Sequence, residues 1–124
     1  MLLKHLQILL TGALVVSTYL LTDCCFKDER LAILSALLAS VFPHVTVGIR
    51  YFIVGNWFAL VLLTLFLTAV LRSLESKSEV WAALAVTLSW LTLGIHFPTW
   101  IFSMLVVVIY AFITYRLQTE PKQV

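Results

Sequence analysis

The run from Leu31 to Leu71 carries one charged side chain, Arg50, near its middle. As one helix it would reach about 60 Å at about 1.5 Å per residue, twice the roughly 30 Å of hydrocarbon in a bilayer. Such a stretch must cross, turn and cross back, and Arg50, Tyr51, Gly55, Asn56 and Trp57 mark the turn. A second run, Val80 to Tyr115, contains no Asp, Glu, Lys or Arg, and Gly94, His96 and Pro98 divide it. Leu6 to Thr22 is a third uncharged segment. Together these predict an all-α fold: a polytopic transmembrane helix bundle forming one integral membrane domain over residues 1–124. The helices are expected at about 6–22, 31–49, 57–71, 80–96 and 99–115, making five short crossings, or four if the fourth helix is re-entrant. No internal repeat is visible in the sequence.

Composition agrees with that solvent. Charged residues make up 11% of the chain, against about 25% in soluble domains, and mean hydropathy is +1.06. The net charge of +2 comes from Lys and Arg that are scattered singly, so no basic patch for nucleic acid forms. All six acids, Asp23, Asp28, Glu29, Glu75, Glu79 and Glu120, fall between the apolar runs. Intramembrane carboxylates are the usual currency of proton relays, so a proton-driven pump is not expected. The expected partners are the lipid bilayer and other membrane proteins, or a second copy of the chain.

The first helix resembles a signal peptide in its basic start, and Leu21-Thr22-Asp23-Cys24 is a crude lipobox. An acid before the cysteine fits small-residue cleavage sites poorly, and the helix is expected to be retained. Five crossings place residues 23–30, 72–79 and the C-terminal tail on one side. That side holds Lys27, Arg30, Arg72, Lys77, Arg116 and Lys122; the other holds Lys4 and Arg50. The positive-inside rule then puts the C-terminus and both loops in the cytoplasm, with a bacterial inner membrane as the expected location. Tyr19, Trp81 and Tyr115 lie near that side, and Tyr51, Trp57 and Trp100 near the other, as interfacial aromatic belts require.

Few positions carry chemistry. Ala32, Ser35, Ala36, Ala39 and Ser40 form a stripe of small residues on the second helix, a partner-packing face where backbones can approach closely. Pro43 is expected to kink or stop that helix. His44, next to Pro43, and His96, two residues before Pro98, are possible haem or polar sites with Arg50. The plainer reading, that the imidazoles satisfy carbonyls freed by Pro43 and Pro98, is the one expected. Adjacent Cys24 and Cys25 lack the spacing of a structural metal site; they could pass on a soft metal or be acylated, but are read as two reduced cysteines at an interface. Ser17, Thr18, Thr64, Thr68, Thr87, Ser89, Thr92 and Ser103 could line a polar path, but more often bond to their own helix or a neighbour. No nucleophile and base pair, catalytic residue or metal site is expected.

Two local resemblances follow. His44-Val45-Thr46-Val47-Gly48-Ile49-Arg50 resembles the His-x-x-x-Gly-Ile-Arg segment of the cytochrome b membrane anchor of succinate dehydrogenases. That resemblance implies haem b on His44, with Arg50 at the quinone or propionate side. It covers seven residues, and the five crossings differ from that family's three. Ser35 to Val45 resembles the second helix of the small assembly helper encoded with ATP synthase, without the charged pair of its third helix. In size and layout the chain is also similar to immunity proteins against pore-forming bacteriocins. The functional expectation is a non-enzymatic membrane protein that works by intramembrane helix packing, as an accessory or assembly subunit or an immunity factor, with no cofactor. The alternatives are a haem b or quinone anchor of a respiratory complex using His44 and His96, and a small-solute carrier.

Overall fold

The computed structural model describes residues 2–46 and 54–119, with side chains placed at 5–41 and 57–118. It is all-α: α1 (Leu2–Phe26), α2 (Glu29–Thr46), α3 (Val54–Ser76), α4 (Glu79–Ile95) and α5 (Phe97–Thr119). Three helices are long and apolar enough to cross a membrane, over His5–Phe26, Trp57–Ser76 and Phe97–Gln118; Glu79–Ile95 is a shorter apolar helix.

The helices are longer than the apolar pattern predicts, because they run into the polar breaks. Only Lys27–Asp28 and Lys77–Ser78 leave helical geometry where eight-residue loops are expected at 23–30 and 72–79. Charged side chains at a helix end need water, not an irregular backbone, so Asp23 and Arg72 stay helical while remaining partly exposed. Helix α2 continues through Pro43 to Thr46; its predicted last residues, 47–49, and Arg50 lie outside the described residues.

The two turns share one design, on Lys27-Asp28-Glu29 and Lys77-Ser78-Glu79. Lys27 and Lys77 both occupy the left-handed region, at φ 53° and 51°. The next residue caps the following helix: the Asp28 and Ser78 carbonyls accept from Ala32 N–H at 3.0 Å and Ala82 N–H at 3.2 Å. Asp28 Oδ1 also accepts from Arg30 N–H at 2.9 Å and Leu31 N–H at 3.3 Å, whereas Ser78 makes no side-chain cap bond. The result is two αα-hairpins, α1–α2 and α3–α4. They meet through α1 and α3; α2 touches only α1 among the described helices, and α5 packs on α3 and α4.

Helix α3 is therefore the centre, with 39% of its apolar window inside the protein against 6% for α5. Leu62, Phe66 and Ala69 of α3 join Ala85 and Leu88 of α4 in the core, and Met104 and Val107 of α5 pack against them. On α1, the buried residues Leu10, Ser17 and Cys24 recur every seven residues, the spacing that keeps one seam of a helix facing a neighbour.

Candidate functional site

At the end of the bundle that carries both turns, the hairpins are clasped by crossed ion pairs. Lys27 Nζ lies 2.9 Å from Glu75 Oε2, and Arg72 Nη2 lies 4.0 Å from Asp23 Oδ2. Each hairpin contributes one cation and one anion. Because these residues end α1 and α3, the two helices run parallel. About two turns further in, Thr64 Oγ1 donates to Ser17 Oγ at 2.7 Å, and Ser17 Oγ donates to the Leu14 carbonyl at 3.1 Å. This chain of hydroxyls leaves Ser17 satisfied although only 1% of it is exposed.

The other hydroxyls turn back on their own helices. Thr11, Thr22, Thr68, Thr87 and Thr92 donate to carbonyls four residues earlier, and Ser40 and Ser103 to carbonyls three residues earlier. Ser89 Oγ accepts from Trp100 Nε1–H at 3.0 Å and ties α5 to α4. Each of these polar groups has a structural employment, so none offers a free row of donors to a solute.

The small stripe of α2 faces inward. Ala32 is fully buried, and Ser35, Ala36, Ala39 and Ser40 are half-buried, whereas Leu34, Leu37, Leu38 and Val41 are exposed. Since α1 is the only described helix that α2 touches, the stripe is the surface on which α2 lies against α1. The packing partner of this face is a helix of the same chain. The outward face of α2 is leucine-rich, and α5 exposes mainly Ile, Val and Phe.

The expected pairing of His44 with His96 rests on a side chain outside the described residues. By backbone His44 belongs to the last turn of α2, but its side chain, like Arg50, lies outside the described residues. His96 sits between α4 and α5, and α2 makes no contact with α4 or α5 among the described residues. The imidazole of His96 is engaged locally: Nδ1 accepts the Thr99 backbone N–H at 3.3 Å and lies 2.7 Å from Thr99 Oγ1. A bond to a carbonyl freed by Pro98 is expected of this ring; the contact made by Nδ1 is instead with an amide N–H. The cysteines also part company, with Cys24 buried in the α1 seam and Cys25 exposed. Among the described residues no group of three His, Cys, Asp or Glu side chains is placed to hold a metal.

An open apolar groove of about 580 Å³ runs between α1 and α3, lined by Ile8, Leu9, Gly12, Ala13, Val16, Ser17, Val61 and Leu65. A Cβ placed on Gly12 would meet nothing within 4 Å, so the groove is floored by absent side-chain volume. Sequence reasoning named Ser17 and Thr64 singly but could not pair them. It missed the ion pairs because nothing in a linear pattern says that residues 48 apart share one end of a bundle.

These features define an all-helical class: two clasped hairpins with a fifth apolar helix applied to one side. Compared with known proteins, the chain matches no family model, no curated protein and no solved structure.

Proposed function

We propose that this chain is a five-crossing integral membrane protein that acts by helix packing within the bilayer rather than by catalysis. The observation that carries the reading is the division of labour among its surfaces. Ser17 with Thr64 and Ser89 with Trp100 join helices and the buried Thr68, Thr92 and Ser103 bond their own helices, while α2 and α5 turn long apolar faces outward. In lipid such faces are compatible with both acyl chains and other helices, so association is decided by shape and by polar contacts at the ends. The chain would serve as an accessory or assembly subunit, or an immunity factor, in a bacterial inner membrane. Both turns and the C-terminal tail would face the cytoplasm; the shared end of the two turns supports this, and Lys27, Arg30, Arg72, Lys77 and Arg116 match the positive-inside rule.

The test is purification in mild detergent, with cross-linking in the membrane before extraction. Specific recovery of one membrane partner, or of a second copy, is the expected result. A monomer that recovers no partner under both conditions would overturn the proposal, as would sharp bis-histidine haem bands in the visible spectrum of the purified protein.

A further inference from the structure

His96 is the single non-helical residue between α4 and α5, extended at φ −152° and ψ 91°. Its own N–H donates to the Thr92 carbonyl at 2.8 Å, closing α4, while its carbonyl accepts from Trp100 N–H at 3.2 Å, opening α5. The first N–H groups of any helix lack intrahelical acceptors, and a side chain at the position before the helix commonly supplies one. Here the imidazole does so, through Nδ1 and the Thr99 N–H. A backbone N–H can only donate, so where it bonds Nδ1 that nitrogen presents its lone pair, with the Thr99 hydroxyl 2.7 Å from the same atom. Ser, Asn or Asp would fill this post with oxygen. Histidine fills it only while Nδ1 is unprotonated.

We propose that His96 is a proton-sensitive cap that releases the first turn of α5 when its ring takes up a second proton. The proton comes from solvent and binds the Nδ1 lone pair. Nδ1 then becomes a donor to the Thr99 hydroxyl 2.7 Å away, the Thr99 N–H loses its acceptor, and a positive ring faces the positive end of the α5 dipole. The ring is half-buried at the joint between α4 and α5.

The released turn holds the main polar attachment of α5. Trp100 donates to Ser89 from that turn and stacks on Phe97 with ring centroids 6.0 Å apart. Beyond it α5 leans on the core through Met104 and Val107, and it is the least buried of the candidate spans. No charge on the packed elements competes at this joint. Arg72 and Glu75 of α3, Glu79 of α4 and Arg116 of α5 all lie towards the opposite end, about 25 Å away along helices of about 1.5 Å rise per residue, as do Tyr110 and Tyr115 of α5 at about 20 Å or more. His5 is on α1, which touches neither α4 nor α5; His44, Arg50 and Tyr51 are outside the described side chains.

The experiment is hydrogen–deuterium exchange of the full chain in lipid nanodiscs at about pH 7.5 and about pH 5.5, values that bracket the range in which histidines commonly change charge. After correction for intrinsic exchange, peptides covering Phe97 to Ser103 should take up deuterium several-fold faster at the lower pH, while peptides from the middle of α4 should not change. His96→Asn and His96→Ser, neutral caps at both values, should each abolish the difference with helical content retained. The proposal is overturned if the wild-type chain shows no difference, or if the difference survives in whichever cap variant folds. It is equally overturned if His5→Asn or His44→Asn removes the response.

Discussion

Ser17 and Thr64 join the two hairpins by a 2.7 Å hydrogen bond between helices that run side by side in the same direction. The bond lies in the α1 seam, one heptad from Leu10 and one from Cys24, where Ser17 is buried. A leucine at either position would hold the backbones apart; two small hydroxyls let them close and bond.

That contact sets the first prediction. In a double-mutant cycle of Ser17→Ala and Thr64→Val, the coupling should be about 0.5–1.5 kcal/mol favouring the native pair, the range found for hydrogen bonds between membrane helices. Reversible unfolding in mixed micelles measures it. Zero coupling would mean that the pair marks the approach of α1 and α3 without contributing to it.

The crossed ion pairs predict less than their placement suggests. Lys27 and Glu75 side chains are 55% and 46% exposed, so water and salt screen them, and Lys27→Gln should cost under about 1 kcal/mol. The charge swap Lys27→Glu with Glu75→Lys should recover the loss at low salt, and the difference should vanish at high salt. Melting curves of the single and double variants across a salt series are the measurement.

Backbone geometry separates the two lysines in the turns. A side chain in the left-handed region costs roughly 1–2 kcal/mol, part of which glycine recovers against its own greater chain entropy. Lys77→Gly should therefore stabilise the chain by up to about 1 kcal/mol. Lys27→Gly should gain less, since it also removes the contact with Glu75. Equal gains from both would show the ion pair to be energetically silent.

Ala32 is fully buried where α2 lies on α1. Ala32→Leu should cost about 1–3 kcal/mol by overpacking, and Ala36→Leu, at a half-buried position, should cost less. Proteolysis near the α2 end and loss of co-purifying partner should follow the same order. If both variants match the wild type, the stripe is not what holds α2.

Gly12→Ala is expected to act in the opposite sense. The added methyl meets nothing within 4 Å, and alanine is favoured over glycine in a helix interior by up to about 1 kcal/mol. A raised melting temperature in detergent is the expected outcome. A lowered one would show that something fills the groove between α1 and α3.

How far the sequence speaks depends on the physics of each feature. The all-helical fold, the number of helices and their approximate centres were legible in the spacing of charges along apolar runs, because a backbone deprived of water must satisfy its hydrogen bonds locally. The small stripe on α2 was expected to meet a partner, and in the fold it lies on the side of α2 that faces α1. The turns were misjudged in length because polar composition measures access to water, and a helix end can be wet without unwinding. Which helix the stripe meets, the pairing of Ser17 with Thr64, the crossing of Lys27 to Glu75 and the capping role of His96 were decided only by the tertiary structure. Each depends on which of several equally apolar surfaces come together, and an apolar surface alone carries no address.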